Sequence, residues 1–145
     1  MMDDSIRPAV LADAEPIATL IDALGYPTSP DAMARRLGGI LSDPKYATFV
    51  ATSGDRVVGV AGAALGRYYE KDGLYSRLVV LAVSPEERGQ GIGHRLLNAV
   101  ERWSATNGVH EVFVNSGSHR AEAHRFYEES GYSRTGFRFV KQVAR

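Results

Sequence analysis

An arginine and three glycines follow an apolar run and a short polar turn, and residues of these types in this order can bind a phosphate group. Residues 81–93 read LAVSPEERGQGIG, so small apolar residues turn at a Ser-Pro pair and enter an amphipathic stretch through the glycines. The N-terminus of a helix presents unpaired N–H groups and a partial positive charge, and it therefore binds anions. Glycine lets the backbone approach the anion closely, and Arg88 adds a positive charge.

The same glycines fit other interpretations when they are considered alone. The dinucleotide-binding fingerprint needs a third glycine, and Leu96 stands at its position. The Walker pattern needs a Gly-Lys-Ser/Thr ending, which is missing here. A tight strand-to-helix turn, whose glycines only allow close packing, explains the pattern equally well. From the residues alone, a phosphate site and a packing turn both remain open.

The elements before this segment are predicted to be mostly helical. A short edge strand is expected at 5–9. Apolar residues then recur at i, i+3, i+4 and i+7 from Ile17 to Leu24, which predicts an amphipathic helix over 11–24. Ser29 followed by Pro30 suits the start of a second helix, which runs to about Asp43.

From residue 46 onward the pattern indicates strands and then alternating strands and helices. Two β-type runs flank Ser53-Gly54-Asp55, which predicts a hairpin. Residues 74–83, LYSRLVVLAV, are almost continuously apolar and predict a central strand that is covered on both faces. The remaining expected elements are a helix at 91–107, a strand at 111–114, a helix at 119–130 and strand material at 132–140. This order predicts one α/β (mixed α+β) domain with helices on both faces of a mixed sheet.

Composition narrows the class of protein. The 145 residues fit a single domain, and 17 basic residues balance 17 acidic ones, so no net charge attracts the chain to nucleic acid or an anionic membrane. The absence of cysteine excludes disulfides, thiolate metal sites and a cysteine nucleophile. The acidic start, Met-Met-Asp-Asp, is unlike a signal peptide, and a cytoplasmic protein is expected.

Two segments carry a resemblance to a known family. Val-Ser-Pro at 83–85 and Arg-Gly-Gln-Gly-Ile-Gly at 88–93 resemble motif A of the GNAT acetyltransferases, usually written Arg/Gln-x-x-Gly-x-Gly/Ala. Residues 123–132, AHRFYEESGY, are similar to the family's Ala-x-x-Phe-Tyr-x-x-x-Gly-Phe segment, here ending in tyrosine. The start Ile-Arg-Pro-Ala at 6–9 also resembles a common GNAT opening. The resemblance covers nearly the whole chain and implies a single GNAT domain over 1–145, with a largely antiparallel sheet of about six or seven strands.

The resemblance also implies a site for acetyl-CoA as cosubstrate, without a metal. Main-chain groups of Leu81 and Val83 would pair with pantetheine, and a backbone group near Ala82 would face the thioester. Tyr127 would be the general acid that protonates the departing thiolate, and Asn115 would add a polar contact to the cofactor. The residues expected to hold the pyrophosphate are Arg88, Gly89, Gln90, Gly91, Ile92 and Gly93.

Two positions depart from the family pattern. Arg120 stands where many members have asparagine, so Asn115, Ser116 or Ser118 is expected to take over polar contacts. Arg77 stands where the histone acetyltransferases have their glutamate base, and it is expected either to leave deprotonation to water or to face a carboxylate on the acceptor. Other candidate bases or amine-binding groups are Glu70, Asp72 and His119, and the residues that could wall an acceptor pocket are Tyr68, Tyr69 and Tyr75.

The resemblance therefore implies an N-acetyltransferase that acts on a primary amine, expected to be on a small molecule, by direct transfer without an acyl-enzyme. An acyl-CoA sensor that has lost activity is the alternative within this fold, and a dinucleotide-binding oxidoreductase is the alternative outside it. The acceptor class stays open between aminoglycosides, polyamines, amino acid derivatives and protein N-termini. A homodimer is expected by family habit.

Overall fold

A computed structural model describes residues 5–115, 121–136 and 138–144. The chain divides into two units, one that ends at Phe113 and one that begins at Val114. The strands are β1 Ile6–Pro8, β2 Tyr46–Ser53, β3 Arg56–Arg67, β4 Leu74–Val83 and β5 Val109–Val114. The helices are α1 Ala14–Ala23, α2 Pro30–Leu41, α3 Ile92–Thr106 and α4 Ala121–Glu129, with short 3₁₀ turns at Leu11–Asp13 and Pro85–Glu87.

The five strands form one sheet in the order β1-β2-β3-β4-β5. Neighbours from β1 to β4 are antiparallel, and the long α3 between β4 and β5 is the kind of crossover that parallel neighbours need. The predicted hairpin is confirmed, because Ser53 pairs with Arg56 across a two-residue turn in which Gly54 has a φ of 61°. The predicted edge strand is confirmed at β1.

Helices cover both faces of the sheet, as predicted. One face carries α1 and α2, and we call it the α1/α2 face. On the other face, the α3 face, a Cβ at Gly59 would lie 2.9 Å from Cδ1 of Leu96. There the buried hydroxyls of Ser76 on β4 and Ser104 on α3 are 2.6 Å apart. The buried core of the α1/α2 face includes Ile17, Leu20, Met33, Leu37, Val50, Val60 and Ala82.

A β-bulge interrupts β4. Gly62 of β3 pairs with Val80, whereas the next residue, Ala63, pairs with Leu78, so Val79 is an extra residue in β4. Side chains normally alternate between the two faces of a strand, and a bulge shifts this alternation by one residue. Before the bulge, Ser76 lies on the α3 face; after it, Ala82 lies on the α1/α2 face.

β4 has buried residues on both faces, as expected, but it is not covered along its whole length. Arg77 is exposed, and the bulged Val79 is 46% exposed. The buried residues of β4 are Ser76, Leu78 and Ala82, all at even-numbered positions. Because the bulge shifts the alternation, Ser76 lies on the α3 face and Ala82 lies on the α1/α2 face. The most deeply buried residues therefore lie on one face before the bulge and on the other face after it.

The strand count is also lower than expected, with five strands among the described residues rather than six or seven. The predicted strand at 132–140 is wrong for the described residues 132–136 and 138–140, which form neither helix nor strand. Almost all of them are exposed, and the stretch Ser-Arg-Thr-Gly at 133–136 offers no apolar face to bury. Without such burial, little offsets the entropy lost when the backbone is ordered.

Both N-terminal helices begin at polar side chains. The Ser29 hydroxyl accepts the N–H of Ala32 at 3.1 Å, which confirms the predicted cap of α2. Before α1, the Asp13 carboxylate accepts both terminal nitrogens of Arg7, at 2.8 and 2.9 Å, and the N–H of Val10 at 2.8 Å. Asp13 is only 5% exposed. Its bonds therefore tie β1 to the segment that leads into α1.

Replacing Asp13 with asparagine is expected to lower the free energy of unfolding at neutral pH by about 1–3 kcal/mol, because a buried charge-assisted bond is lost. The hydrogen bonds from Arg7 hold the pKa of Asp13 below its ordinary value. This contribution is therefore complete above about pH 4 and disappears as the pH falls through the lowered pKa. Urea denaturation between pH 7 and pH 2.5 measures both effects, with Asp55→Asn in the exposed hairpin turn as control. A difference between wild type and Asp13→Asn that does not shrink at low pH would contradict the assignment.

Among the described residues, no helix has both the length and the apolar character needed to cross a bilayer.

Candidate active site

The glycine segment forms a strand-turn-helix unit at the end of β4. The N–H of Ser84 donates to the carbonyl of Val58 at 2.8 Å, which holds the end of β4 beside β3 before the turn. Gly89 has a φ of 83° and Gly91 a φ of 77°, a backbone region that disfavours other residues. A Cβ at either position would have no neighbour within 4 Å. These glycines are therefore required by backbone conformation and not by close packing, which argues against the packing turn.

The residue at the N-cap of α3 supplies no side-chain cap. Gly91 is the N-cap residue, and it has no side chain that could accept the N–H groups of the first turn. The first backbone bond that closes the helix runs from the N–H of Arg95 to the carbonyl of Gly91 at 3.1 Å. Arg88, Gly89, Gln90 and Gly91 are exposed, Gly93 is half-buried and Ile92 is buried. This arrangement fits an anion at the N-terminus of α3.

The two glutamates beside the glycines are already engaged. Glu87 accepts Nη2 of Arg56 at 3.0 Å, and the Ser84 hydroxyl donates to the carboxylate of Glu86. Arg88 is exposed, and within 5–115, 121–136 and 138–144 no carboxylate forms an ion pair with it. Arg56 balances the charge of Glu87, whereas the Ser84 hydroxyl leaves the negative charge of Glu86 in place, so Arg88 supplies a cation beside a carboxylate that stays ionised.

β4 extends beyond the strand that lies next to it. The ring of Phe113 on β5 contacts the ring of Tyr75 at 5.4 Å between centroids, and His110 lies against Gly73, so β5 begins beside the start of β4. β5 has six residues and β4 has ten. At about 3.3 Å per residue, the end of β4 reaches past the last residue of β5, so β5 itself does not pair with the main-chain groups beyond the bulge. Leu81 and Val83 are half-buried there, and Ala82 is buried.

A second polar cluster joins the β3–β4 loop to β5. The Tyr68 hydroxyl donates to Oε1 of Glu111 at 2.6 Å, and Nζ of Lys71 lies 3.4 Å from the same oxygen. Partial burial and the bond to Glu111 raise the pKa of Tyr68 to about 12, whereas the bond from Tyr68 and the charge of Lys71 lower the pKa of Glu111. The tyrosine is thus held protonated and the glutamate ionised at neutral pH.

Two of the three tyrosines that are predicted to wall an acceptor pocket meet here: Tyr68 belongs to the cluster, and Tyr75 contacts its ring. The rings of Tyr68 and Tyr75 are in edge contact at 5.2 Å, but Tyr69 is fully exposed and does not join them. Glu111 was missed by sequence reasoning. The one available signal was an acidic residue in the otherwise apolar run at 111–114. Glu70 and Asp72 are exposed loop residues.

Replacing Gly73 with alanine is expected to destabilise the protein by about 1–3 kcal/mol, because Gly73 has a φ of 111° and a Cβ would lie 2.5 Å from Nε2 of His110. Urea denaturation measures the loss. The double variant with His110→Ala should recover the steric part and keep the backbone part. A Gly73→Ala variant that is as stable as wild type would contradict the close contact between Gly73 and His110 of β5.

The second unit contains Tyr127 on α4. Tyr127 is half-buried, and its ring is in edge contact with Phe126 at 5.2 Å and with Tyr132 at 6.0 Å. Its carbonyl accepts the N–H of Tyr132 at 2.9 Å, which closes the end of the helix. Asn115 is exposed. Four residues singled out from the sequence lie outside the described residues: Ser116, Ser118, His119 and Arg120.

Comparison with known proteins agrees with these features. The model of the acetyltransferase (GNAT) family matches residues 14–132, which spans the boundary between the two units. Aminoalkylphosphonate N-acetyltransferase of Salmonella typhimurium is 28% identical over 143 residues, which cover 95% of this chain and 90% of that protein. Aminoglycoside N(6')-acetyltransferase type 1 of Stenotrophomonas maltophilia is 31% identical over 135 residues, which cover 90% of this chain and 87% of that protein.

Solved structures show the same architecture. A GNAT family acetyltransferase of Staphylococcus aureus superposes with a TM-score of 0.82 at 28% identity, over 95% of this chain and 97% of that one. The matches confirm the predicted fold class and the predicted enzyme class, an acetyl-CoA-dependent N-acetyltransferase. The chain belongs to the acetyltransferase (GNAT) family.

Proposed function

We propose that this protein transfers the acetyl group of acetyl-CoA directly to a primary amine on a small molecule, with the site residues predicted from the sequence. The observation that carries the proposal is the start of α3, where Gly89 and Gly91 have positive φ and the N-cap residue Gly91 has no side chain, one short turn after the end of β4. We also propose that residues 1–145 form one domain, because the family match spans both units. A homodimer and a cytoplasmic location remain predictions.

The first part of the proposal is how the protein binds the cosubstrate. The N–H groups from Gly89 to Gly93 bind the diphosphate, and Arg88 adds charge; Gln90, Ile92 and Gly93 complete the segment. Main-chain groups of Leu81 and Val83 pair with the pantetheine arm along the part of β4 that extends past β5. Acetyl-CoA supplies an acyl group activated as a thioester. A backbone N–H near Ala82 stabilises the negative charge that develops on the carbonyl oxygen.

The second part is proton transfer. The acceptor nitrogen forms a bond to the carbonyl carbon as the carbon–sulfur bond breaks, and its proton passes to water. Tyr127 gives its phenolic proton to the sulfur, since a phenol stays protonated at neutral pH until transfer. Asn115 makes a polar contact with the cosubstrate. Arg77 occupies the position of the glutamate base of other members and cannot accept a proton, which supports deprotonation by water.

Two acceptor classes follow from the relatives. One is a small amine that bears an anionic group, as the aminoalkylphosphonate relative suggests, and the other is a polycationic amine, as the aminoglycoside relative suggests. Both are small molecules, which supports that part of the proposal.

A screen for free thiol released from acetyl-CoA, across anionic, neutral and polycationic primary amines, tests the proposed function. At least one amine should release CoA at a rate that saturates with amine concentration, and mass spectrometry should find the acetylated amine and no acetylated protein. Tight CoA binding without turnover on any amine class would instead support the acyl-CoA sensor. Binding of NAD without binding of CoA would support the dinucleotide domain.

A further inference from the structure

Arg77 lies on the α1/α2 face of β4. Its positively charged side chain is exposed, and within the three described ranges it forms no ion pair. Its backbone pairs with Ala64 of β3, and Tyr75 precedes it by two residues on the same side of β4. No carboxylate of the described residues neutralises this guanidinium by an ion pair, so it can bind an anionic ligand.

The position of Arg77 relative to the end of β4 defines what it can reach. Ala82 lies on the same face and is buried under α1 and α2, Val80 is half-buried, and Arg77 is exposed. The helices therefore stop covering this face between Ala82 and Arg77. At about 3.3 Å per residue, with one residue taken up by the bulge, the two Cα atoms are roughly 13–16 Å apart. Because the arginine side chain is long, a small extended molecule can span the distance between its guanidinium and Ala82.

The nearby acidic group does not offset this charge. Glu111 on β5 accepts the Tyr68 hydroxyl and pairs with Lys71, so its charge is already balanced. A guanidinium offers a planar set of donors that matches the oxygens of a carboxylate or a phosphonate, and it repels a second ammonium group. The Arg77 guanidinium itself therefore favours an anionic group over a second ammonium group.

We infer that Arg77 is a specificity-determining residue, and that the acceptor is an amine that also carries a carboxylate or phosphonate group bound by Arg77. This inference rests on the proposed function, because it places the acetyl group near Ala82. It selects the anionic acceptor class over the polycationic one, and it gives a role to the arginine that stands where other members have a base.

The experiment measures kcat/KM for pairs of acceptors in which one member is anionic and the other is its neutral derivative. β-Alanine is compared with β-alaninamide, and 2-aminoethylphosphonate with its neutral diethyl ester. Each pair is measured with wild type, Arg77→Gln, Arg77→Lys and the control Arg67→Gln. Arg67 is an exposed arginine on the neighbouring strand β3, on the α3 face. The charge preference is the kcat/KM of the anionic acceptor divided by that of its neutral derivative. Dividing the preference of each variant by that of wild type cancels differences in the basicity of the amines.

Arg77→Gln should lower the preference for the anionic member of at least one pair by about tenfold or more, and leave turnover of the neutral amines within about twofold. Arg77→Lys should retain part of the preference, and Arg67→Gln all of it. The pair that responds more strongly identifies carboxylate or phosphonate as the bound group. Equal preferences in wild type and Arg77→Gln, with neutral amines turned over normally, would overturn the inference and leave the proposed function intact. Failure of every amine with every variant would instead overturn the proposed function.

Discussion

Replacing Tyr127 with phenylalanine is expected to lower kcat by on the order of 10²-fold and to leave the KM for acetyl-CoA nearly unchanged. The change removes one hydroxyl and keeps the ring, so the edge contacts of Tyr127 with Phe126 and Tyr132 are preserved. A general acid that protonates the leaving group contributes 10²–10⁴-fold to rate, and this contribution appears in kcat. Steady-state kinetics with the best acceptor measures both constants.

Tyr132→Phe is the matched control for this experiment. It removes the corresponding hydroxyl from the ring of Tyr132, which contacts Tyr127, and it should leave kcat within about twofold of wild type. A Tyr127→Phe enzyme with wild-type turnover would remove Tyr127 from the mechanism. If both variants lost activity equally, the hydroxyls would act through the packing of α4 rather than through proton transfer.

Gly91→Ala is expected to raise the KM for acetyl-CoA by about tenfold or more. A residue with a Cβ at a φ of 77° costs about 1–2 kcal/mol, and relaxing this strain turns the first N–H groups of α3 away from the diphosphate. Since 1.4 kcal/mol corresponds to a factor of ten in binding, a loss of this size is readily measured. At saturating acetyl-CoA, turnover should fall much less than kcat/KM.

The control for the backbone penalty is Gly108→Ala. Gly108 has a φ of 72°, its Cβ would have no neighbour within 4 Å, and it follows the other end of α3. That end is roughly 22 Å from Gly91 along a 15-residue helix. Both variants should lower the melting temperature by a similar amount, but only Gly91→Ala should affect the KM. Equal effects of the two on the KM would show that loss of stability, and not the diphosphate site, is responsible.

Local signals in the sequence predicted much of the fold. The hairpin around Gly54, the cap at Ser29 and the strand-to-helix turn at the glycines each depend on residues within a few positions of one another. Such features follow from backbone preferences and short hydrogen bonds, which a sequence displays directly.

The bulge at Val79 was not predictable in this way. A bulge is defined by the register between two strands, and nothing in LYSRLVVLAV marks which residue is unpaired. The same limit explains why the exposed part of β4 was not predicted. Strand exposure depends on where α1 and α2 end on the sheet, which is a property of packing between distant segments.

The cluster of Tyr68, Lys71 and Glu111 was missed for a related reason. Tyr68 and Glu111 are 43 residues apart in sequence, and their bond exists because β5 lies beside the β3–β4 loop. Family resemblance predicted Tyr127 and the glycine segment as site residues. It carried no information on Glu111, which lies outside both family motifs.

We propose that the amides at the start of α3 hold the diphosphate of acetyl-CoA, and every other part of the cosubstrate site depends on this contact. Its most direct test is a nuclear magnetic resonance titration of the full chain, labelled with ¹⁵N, with CoA and separately with pantetheine, which lacks the diphosphate. The amide resonances of Gly89, Gly91 and Gly93 should shift with CoA and not with pantetheine. Binding of CoA that leaves these three glycine amides unchanged would contradict the account.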